Sequence, residues 1–178
     1  MFQSIYKLFQ YIITTYVKEV KYFSLYSNQF NRERESERIN YPSVFLEILP
    51  AETKQYLNSV QYSIMNVRLH IVSEFNTSFN STDKMLDTSF EHLALLDKIH
   101  IMFNNVSFLS IPKEFYDNDN YNIGKIVRNG IEVSRDFGSK KDSIVSFQFY
   151  LTDLSAEDEY TYVQFTEESD ITTNITFE

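Results

Sequence analysis

Apolar side chains return every three or four positions at the start of the chain: Phe2, Ile5, Phe9, Ile12, Ile13, Tyr16, Val20 and Phe23, with Lys7, Lys18, Glu19 and Lys21 in the gaps. That period gives one apolar stripe and predicts a helix from Phe2 to near Ser27. The run Asn31-Arg-Glu-Arg-Glu-Ser-Glu-Arg38 mixes both charge signs. It reads as a solvated helix end or loop, with electrostatic docking as the functional alternative. From Tyr41 the period changes to two. Tyr41-Pro-Ser-Val-Phe-Leu-Glu-Ile-Leu-Pro50 is a strand between two prolines, with Val44, Leu46 and Ile48 on one side. A polar connector, 51–59, leads to a longer strand, 60–74, where Val67, Leu69 and Ile71 alternate with Asn66, Arg68 and His70. Val60, Tyr62 and Ile64 are out of phase with that set, which predicts a bulge near Ile64 and Met65. The two strands are expected to pair antiparallel.

Residues 75–84 are polar and read as a loop. Thr88-x-x-Glu91 matches a capping box, so a second helix is expected to start at Thr88 and to end at Asn104 and Asn105. Its expected stripe is Phe90, Leu93, Leu96, Ile99 and Phe103. An extended connection, 106–122, precedes two more strands. The first is 126–136, with a break at Asn129-Gly130. The second is 143–154, with Val145, Phe147, Phe149 and Leu151 inward and Ser146, Gln148 and Thr152 outward; Gly138-Ser-Lys-Lys-Asp142 is the turn between them. The expected fold is α+β: an antiparallel sheet of about four strands, with the N-terminal helix and the second helix packed on one face.

Charge divides the chain into two parts. Positions 153–178 hold eight acidic side chains and no Lys or Arg, most of the net charge of −9, while residues 1–152 are almost neutral. Tyr160, Tyr162, Phe165, Ile171 and Phe177 stud this tail with apolar groups among β-branched residues. We therefore expect an α+β domain, 1–154, and a β-prone arm, 155–178, that binds another chain. Acidity argues against nucleic acid as the main partner, because a binder displaces phosphate counterions with a basic face. Cysteine is absent, which excludes disulfides and thiolate chemistry and fits a reducing compartment. The apolar stretch 5–17 is too short and polar to span a membrane. Four Asn-x-Ser/Thr sequons, at Asn76, Asn80, Asn105 and Asn174, have no signal peptide ahead of them and read as chance.

Catalytic patterns are missing. Gly124, Gly130 and Gly138 are the three glycines, too few and too scattered for a phosphate loop, dinucleotide fingerprint or nucleophile elbow. His92 and His100 stand eight apart, too far for one metal ion, and His70, His92 and His100 read as surface or helix-edge residues. Asp117-Asn-Asp-Asn-Tyr-Asn122 lacks the Gly and the closing Glu of a calcium loop. Glu157, Asp158 and Glu159 lie in the arm, where burial enough to tune a carboxyl is not expected. No enzyme activity, metal or cofactor is expected. Arg128, Arg135, Lys140 and Lys141 make the one basic cluster of the C-terminal half: a turn kept soluble by charge, or a loop touching DNA phosphates in a channel or an acidic partner.

The layout carries a resemblance. A long amphipathic helix, the strand Tyr41-Pro-Ser-Val-Phe-Leu-Glu-Ile48, a second strand ending in Val67-Arg-Leu-His-Ile-Val72, a helix with Phe90, Leu93 and Leu96, and the final pair around 128–136 and Ser146-Phe-Gln-Phe149 follow in order. Over residues 1–154 this resembles the tail-terminator and neck proteins of tailed bacteriophages. The resemblance implies a virion structural subunit, assembled in the host cytoplasm, that closes with copies of itself into a ring of about six to twelve around the DNA channel. It further implies contact with adjacent tail or neck proteins, DNA only in passage, and no membrane. The arm is longer than that pattern and leaves the ring's neighbours open. The alternative is a soluble non-catalytic interaction module or assembly chaperone.

Overall fold

The computed structural model describes residues 2–27, 29, 39–55, 60–74, 82–105, 111–118, 121–137 and 140–154. The other positions, the charged run 31–38 and the arm 155–178 among them, lie outside the described residues. Helix α1 is Phe2–Tyr16, and strands β1 (Tyr22–Leu25), β2 (Ser43–Ile48), β3 (Glu52–Gln55) and β4 (Gln61–Glu74) follow it. Helix α2 is Thr82–Asn105. A 3-10 turn at Lys113–Phe115 leads to β5 (Asp117–Asn118), β6 (Tyr121–Ile123), β7 (Val127–Phe137) and β8 (Lys140–Asp153). The class is α+β. Among the described residues the sheet has eight strands and is mixed, because β1 runs parallel to β2.

Helix α1 is shorter than its periodicity predicts. Lys18 Nζ donates to the Thr14 carbonyl at 2.8 Å and Val20 N–H closes a turn on Val17. The chain then turns into an edge strand, and Lys21 N–H bonds the Pro42 carbonyl. Val20 and Phe23 satisfy helical spacing, but their β-branched and aromatic neighbourhood suits a strand equally, and an open sheet edge decides between the two. Phe23 packs on Tyr6 of the helix, while Tyr22, on the other face, packs on Phe45.

Strand β4 is the spine. It pairs with β8 without a break from Gln61↔Asp153 to Glu74↔Lys140, and with β2 from Ser43↔Val72 to Ile48↔Val67. The bulge expected near Ile64 is not there. Met65 is in phase with Val67, Leu69 and Ile71, and Tyr62 and Ile64 lie on the opposite face, where Tyr62 stacks on Tyr150. The irregularities fall in β7 instead, between Arg128 and Gly130 and between Glu132 and Arg135, the first at the expected Asn129-Gly130 break. The connector 51–59 contains β3, which pairs with the start of β4.

Both helices pack on one face of the sheet. Ile5, Leu8, Phe9, Ile12 and Ile13 of α1 meet Val44, Leu46, Val67, Leu69, Phe147 and Phe149, and Phe103 of α2 stacks on Phe9 at 4.9 Å. Helix α2 begins at Thr82, so Thr88 lies inside it and is not its N-terminal cap. Of its expected stripe Leu96, Ile99 and Phe103 are buried, joined by His92 and Leu95, while Phe90 is 57% and Leu93 40% exposed. A histidine on the buried stripe concealed the true phase from a hydrophobic pattern. On the other sheet face, Ile39, Phe45 and Val72 form a small cluster with Tyr26 and Tyr41. No helix among the described residues is long and apolar enough to cross a membrane.

Candidate functional site

The sequence alternation places His70 on the sheet face opposite Leu69 and Ile71, and β2 and β8 bring Glu47 and Asp142 to the same face through the registers Glu47↔Arg68 and Val72↔Asp142. His70 Nδ1 lies 3.2 Å from Asp142 Oδ2, and Nε2 lies 3.1 Å from Glu47 Oε2. A carboxylate only accepts, so the ring serves both partners as donor when each nitrogen carries a proton. Tyr26 closes the site from above, its ring parallel to the imidazole with centroids 3.9 Å apart. His70 is 4% exposed and Asp142 2%, a buried carboxylate–imidazole–carboxylate bridge across three strands. Arg68 Nη1 approaches Glu47 at 3.7 Å from the solvent side. Beside the bridge, Tyr41 Oη, Ser43 Oγ and Asp142 Oδ1 are buried with no hydrogen-bond partner among the described residues.

A second histidine works on the helix face. His92 Nδ1 is 2.7 Å from Ser73 Oγ on β4, and Nε2 is 2.8 Å from Ser143 Oγ on β8. Burial, aided by Lys141 and opposed by Asp142, holds its pKa below the ordinary 6.5. A neutral ring donates from one nitrogen and accepts at the other, which two hydroxyls satisfy. His92 and Ser73 form part of the floor of a cleft of about 700 Å³ between α2 and the sheet. Lys98 of α2 bonds both Glu19 carboxylate oxygens, at 2.6 and 2.8 Å, and that hydrogen bonding holds the Glu19 carboxyl below its usual range. Tyr41 lines the same cleft, its phenol pushed up to about 12 by burial and then by Glu74. A serine–histidine nucleophile needs a reachable hydroxyl and a third group that orients the base. Here the orienting position is held by a fully buried serine with no charge to offer. The ring's evident work is to pin α2 to β4 and β8.

The basic residues of the β7–β8 hairpin do not gather as one patch. Lys140 and Lys141 open β8; Lys140 Nζ sits 5.4 Å over the Tyr41 ring and Lys141 Nζ reaches Ser89 Oγ at 3.1 Å. Arg135 stands opposite Asp142 at the same end. Arg128 stands opposite Phe147, seven register positions from Lys140, or about 23 Å along the sheet. The arm residues Tyr160, Tyr162, Phe165, Ile171 and Phe177 lie outside the described residues, as do Glu157, Asp158 and Glu159. His100 is half-buried and contacts Asn104. Asp117 and Asn118 pair with Asn122 and Tyr121 as a small hairpin. Among the described residues no group of His, Asp and Glu is arranged to hold a metal ion.

The surface offers more than the cleft does. At one edge of the sheet, Leu25 of β1 and Phe2 of α1 are exposed beside an apolar groove of about 590 Å³. At the other edge, β7 exposes Val127, Ile131 and Val133, and among the described residues it pairs with β8 alone. The alternation of β4 located His70, but no pattern in the sequence reported that Tyr26 would bury it, or that Ser73, His92 and Ser143 would meet. The chain matches no protein-family model and no curated protein.

Proposed function

We propose that this chain is a structural building unit that assembles head to tail with its own copies into a closed ring of a bacteriophage tail or neck, around the DNA channel and in contact with neighbouring rings. The observation that carries the reading is the placement of two different apolar surfaces at opposite edges of one sheet, Phe2 with Leu25 on one side and Val127, Ile131 and Val133 on the other. Unlike surfaces on opposite sides of a subunit make heterologous contacts, and these close into a ring when the rotation per subunit divides a full turn. His70 and His92, both buried, tie elements together, and a part that bears load in an assembly is served by such cross-links. Light scattering coupled to size-exclusion chromatography tests the reading. A discrete species of about six to twelve copies is the expected result; a monomer at every concentration and salt condition overturns it.

A further inference from the structure

Resting on the self-assembly proposed above, we infer that the outer edge of β7 is the seat of the acidic arm of a neighbouring copy, with residues 160–165 adding as a strand to that edge. Strand β7 is eleven residues long, contains no proline and exposes Val127, Ile131 and Val133. The outer strands β1, β3 and β5 span only four, four and two residues. A long edge with apolar side chains is a template for another strand, since it presents a row of main-chain donors and acceptors. The two bulges leave stretches of regular pairing geometry between them.

The occupant follows from charge, composition and reach. The arm carries seven acidic side chains in 155–178 and no Lys or Arg. Lys125, Arg128 and Arg135 stand on or just before β7, against Glu132 and Asp136, and Lys140 and Lys141 lie across the hairpin. Tyr160, Tyr162 and Phe165 supply the β-prone apolar side chains that an edge exposing valine and isoleucine accepts. The arm's own β7 is badly placed for it. The chain leaves β8 at Asp153, where β6 and then β5 occupy the side of β8 on which β7 lies. Val127 is opposite Gln148, five register positions back from Asp153. Rounding two strands and returning to that level takes about 27 Å or more, whereas the seven steps from Asp153 to Tyr160 reach about 24 Å when extended. An adjacent copy has no such fence in the way.

The absence of cysteine makes the test direct. Full-length single variants Val133→Cys and Tyr162→Cys, distinguishable by a small mass tag, are mixed and oxidised. The expected result is a disulfide between unlike chains, about tenfold above a mixture in which Tyr22→Cys on β1 replaces Val133→Cys, because docking raises the local thiol concentration. Moving the arm cysteine to Tyr160 or Phe165 covers the neighbouring registers. A ring that forms by light scattering, with no cross-link above the β1 control at any of the three arm positions, overturns the assignment and leaves the ring standing. A chain carrying both cysteines that cross-links only to itself overturns it as well. If no oligomer forms and no cross-link appears, the ring reading falls together with it.

Discussion

Asp142 shows how unevenly a buried polar group can be served. One carboxylate oxygen meets His70 while the other is enclosed with no partner among the described residues. Removing one partner of a buried hydrogen bond leaves the other unsatisfied, at a cost of about 1–3 kcal/mol. Asp142→Ala should therefore lower unfolding free energy by about that amount in urea titrations, and a loss below about 1 kcal/mol would show that Glu47 alone satisfies His70. Ser43, in the same row of the sheet, gives the opposite expectation. Its hydroxyl is fully buried and has no partner among the described residues, so Ser43→Ala should be neutral or stabilising by up to about 1 kcal/mol. His92 adds a dependence on pH. Its folded pKa lies below the ordinary 6.5, so between the two values the unfolded chain binds a proton that the folded chain does not. Stability from this group is then complete above pH 6.5 and lost as pH falls through and below it. The stability gap between the parent chain and His92→Gln should narrow from pH 7.5 to pH 5.5, on the order of the window around that value. A gap that is constant or widens contradicts a neutral buried ring.

At the level of elements, helix α2 separates exposed bulk from buried bulk. Ile99 is fully buried against the sheet, and Ile99→Ala should cost about 2–5 kcal/mol through lost contacts and a residual cavity. Phe90 is the larger side chain and the more obvious anchor by hydrophobicity, yet Phe90→Ala should change stability by about 0.5 kcal/mol or less. Thermal melts of the two variants give the comparison, and equal losses would place the stripe where the sequence pattern put it. That mismatch shows what was legible in the sequence. The core strands were legible because Val44, Leu46, Val67, Leu69, Ile71, Val145, Phe147, Phe149 and Leu151 alternate cleanly, and only a sheet buries such a set. The end of α1 was not, because Val20, Phe23 and their neighbours fit a helix and a strand, and only the free edge of β2 chose. Tyr62 and Ile64 are out of phase with the core set, as their spacing says, but they face the open side of a continuous strand instead of marking a bulge. Of the buried bridges, His70's sheet face was legible, but its cover was not: Tyr26 lies 44 residues away in sequence and reaches it through the parallel β1–β2 pairing that periodicity does not report.

For the whole molecule, the question is where the folded unit ends and the assembly begins. Among the described residues the main core closes at Leu151, two positions before β8 ends at Asp153, and β8 is held on both sides by β4 and β6 up to that point. Every described element that buries apolar area is therefore formed by residues that precede the arm. Deleting 155–178 should leave the unfolding free energy from urea titration within about 0.5 kcal/mol of the parent and the near-ultraviolet dichroism of the buried aromatics intact. On the proposed seating of the arm, the same deletion should abolish assembly, because the neighbour's β7 edge loses its occupant. Light scattering and denaturation on one preparation separate the two effects. A truncated chain that still assembles would assign the contact to the Phe2 and Leu25 surface and the body of the next copy. An insoluble or molten product would assign the arm to the subunit's own core. A stable monomer is the outcome that a unit folding by itself and joining through its tail requires.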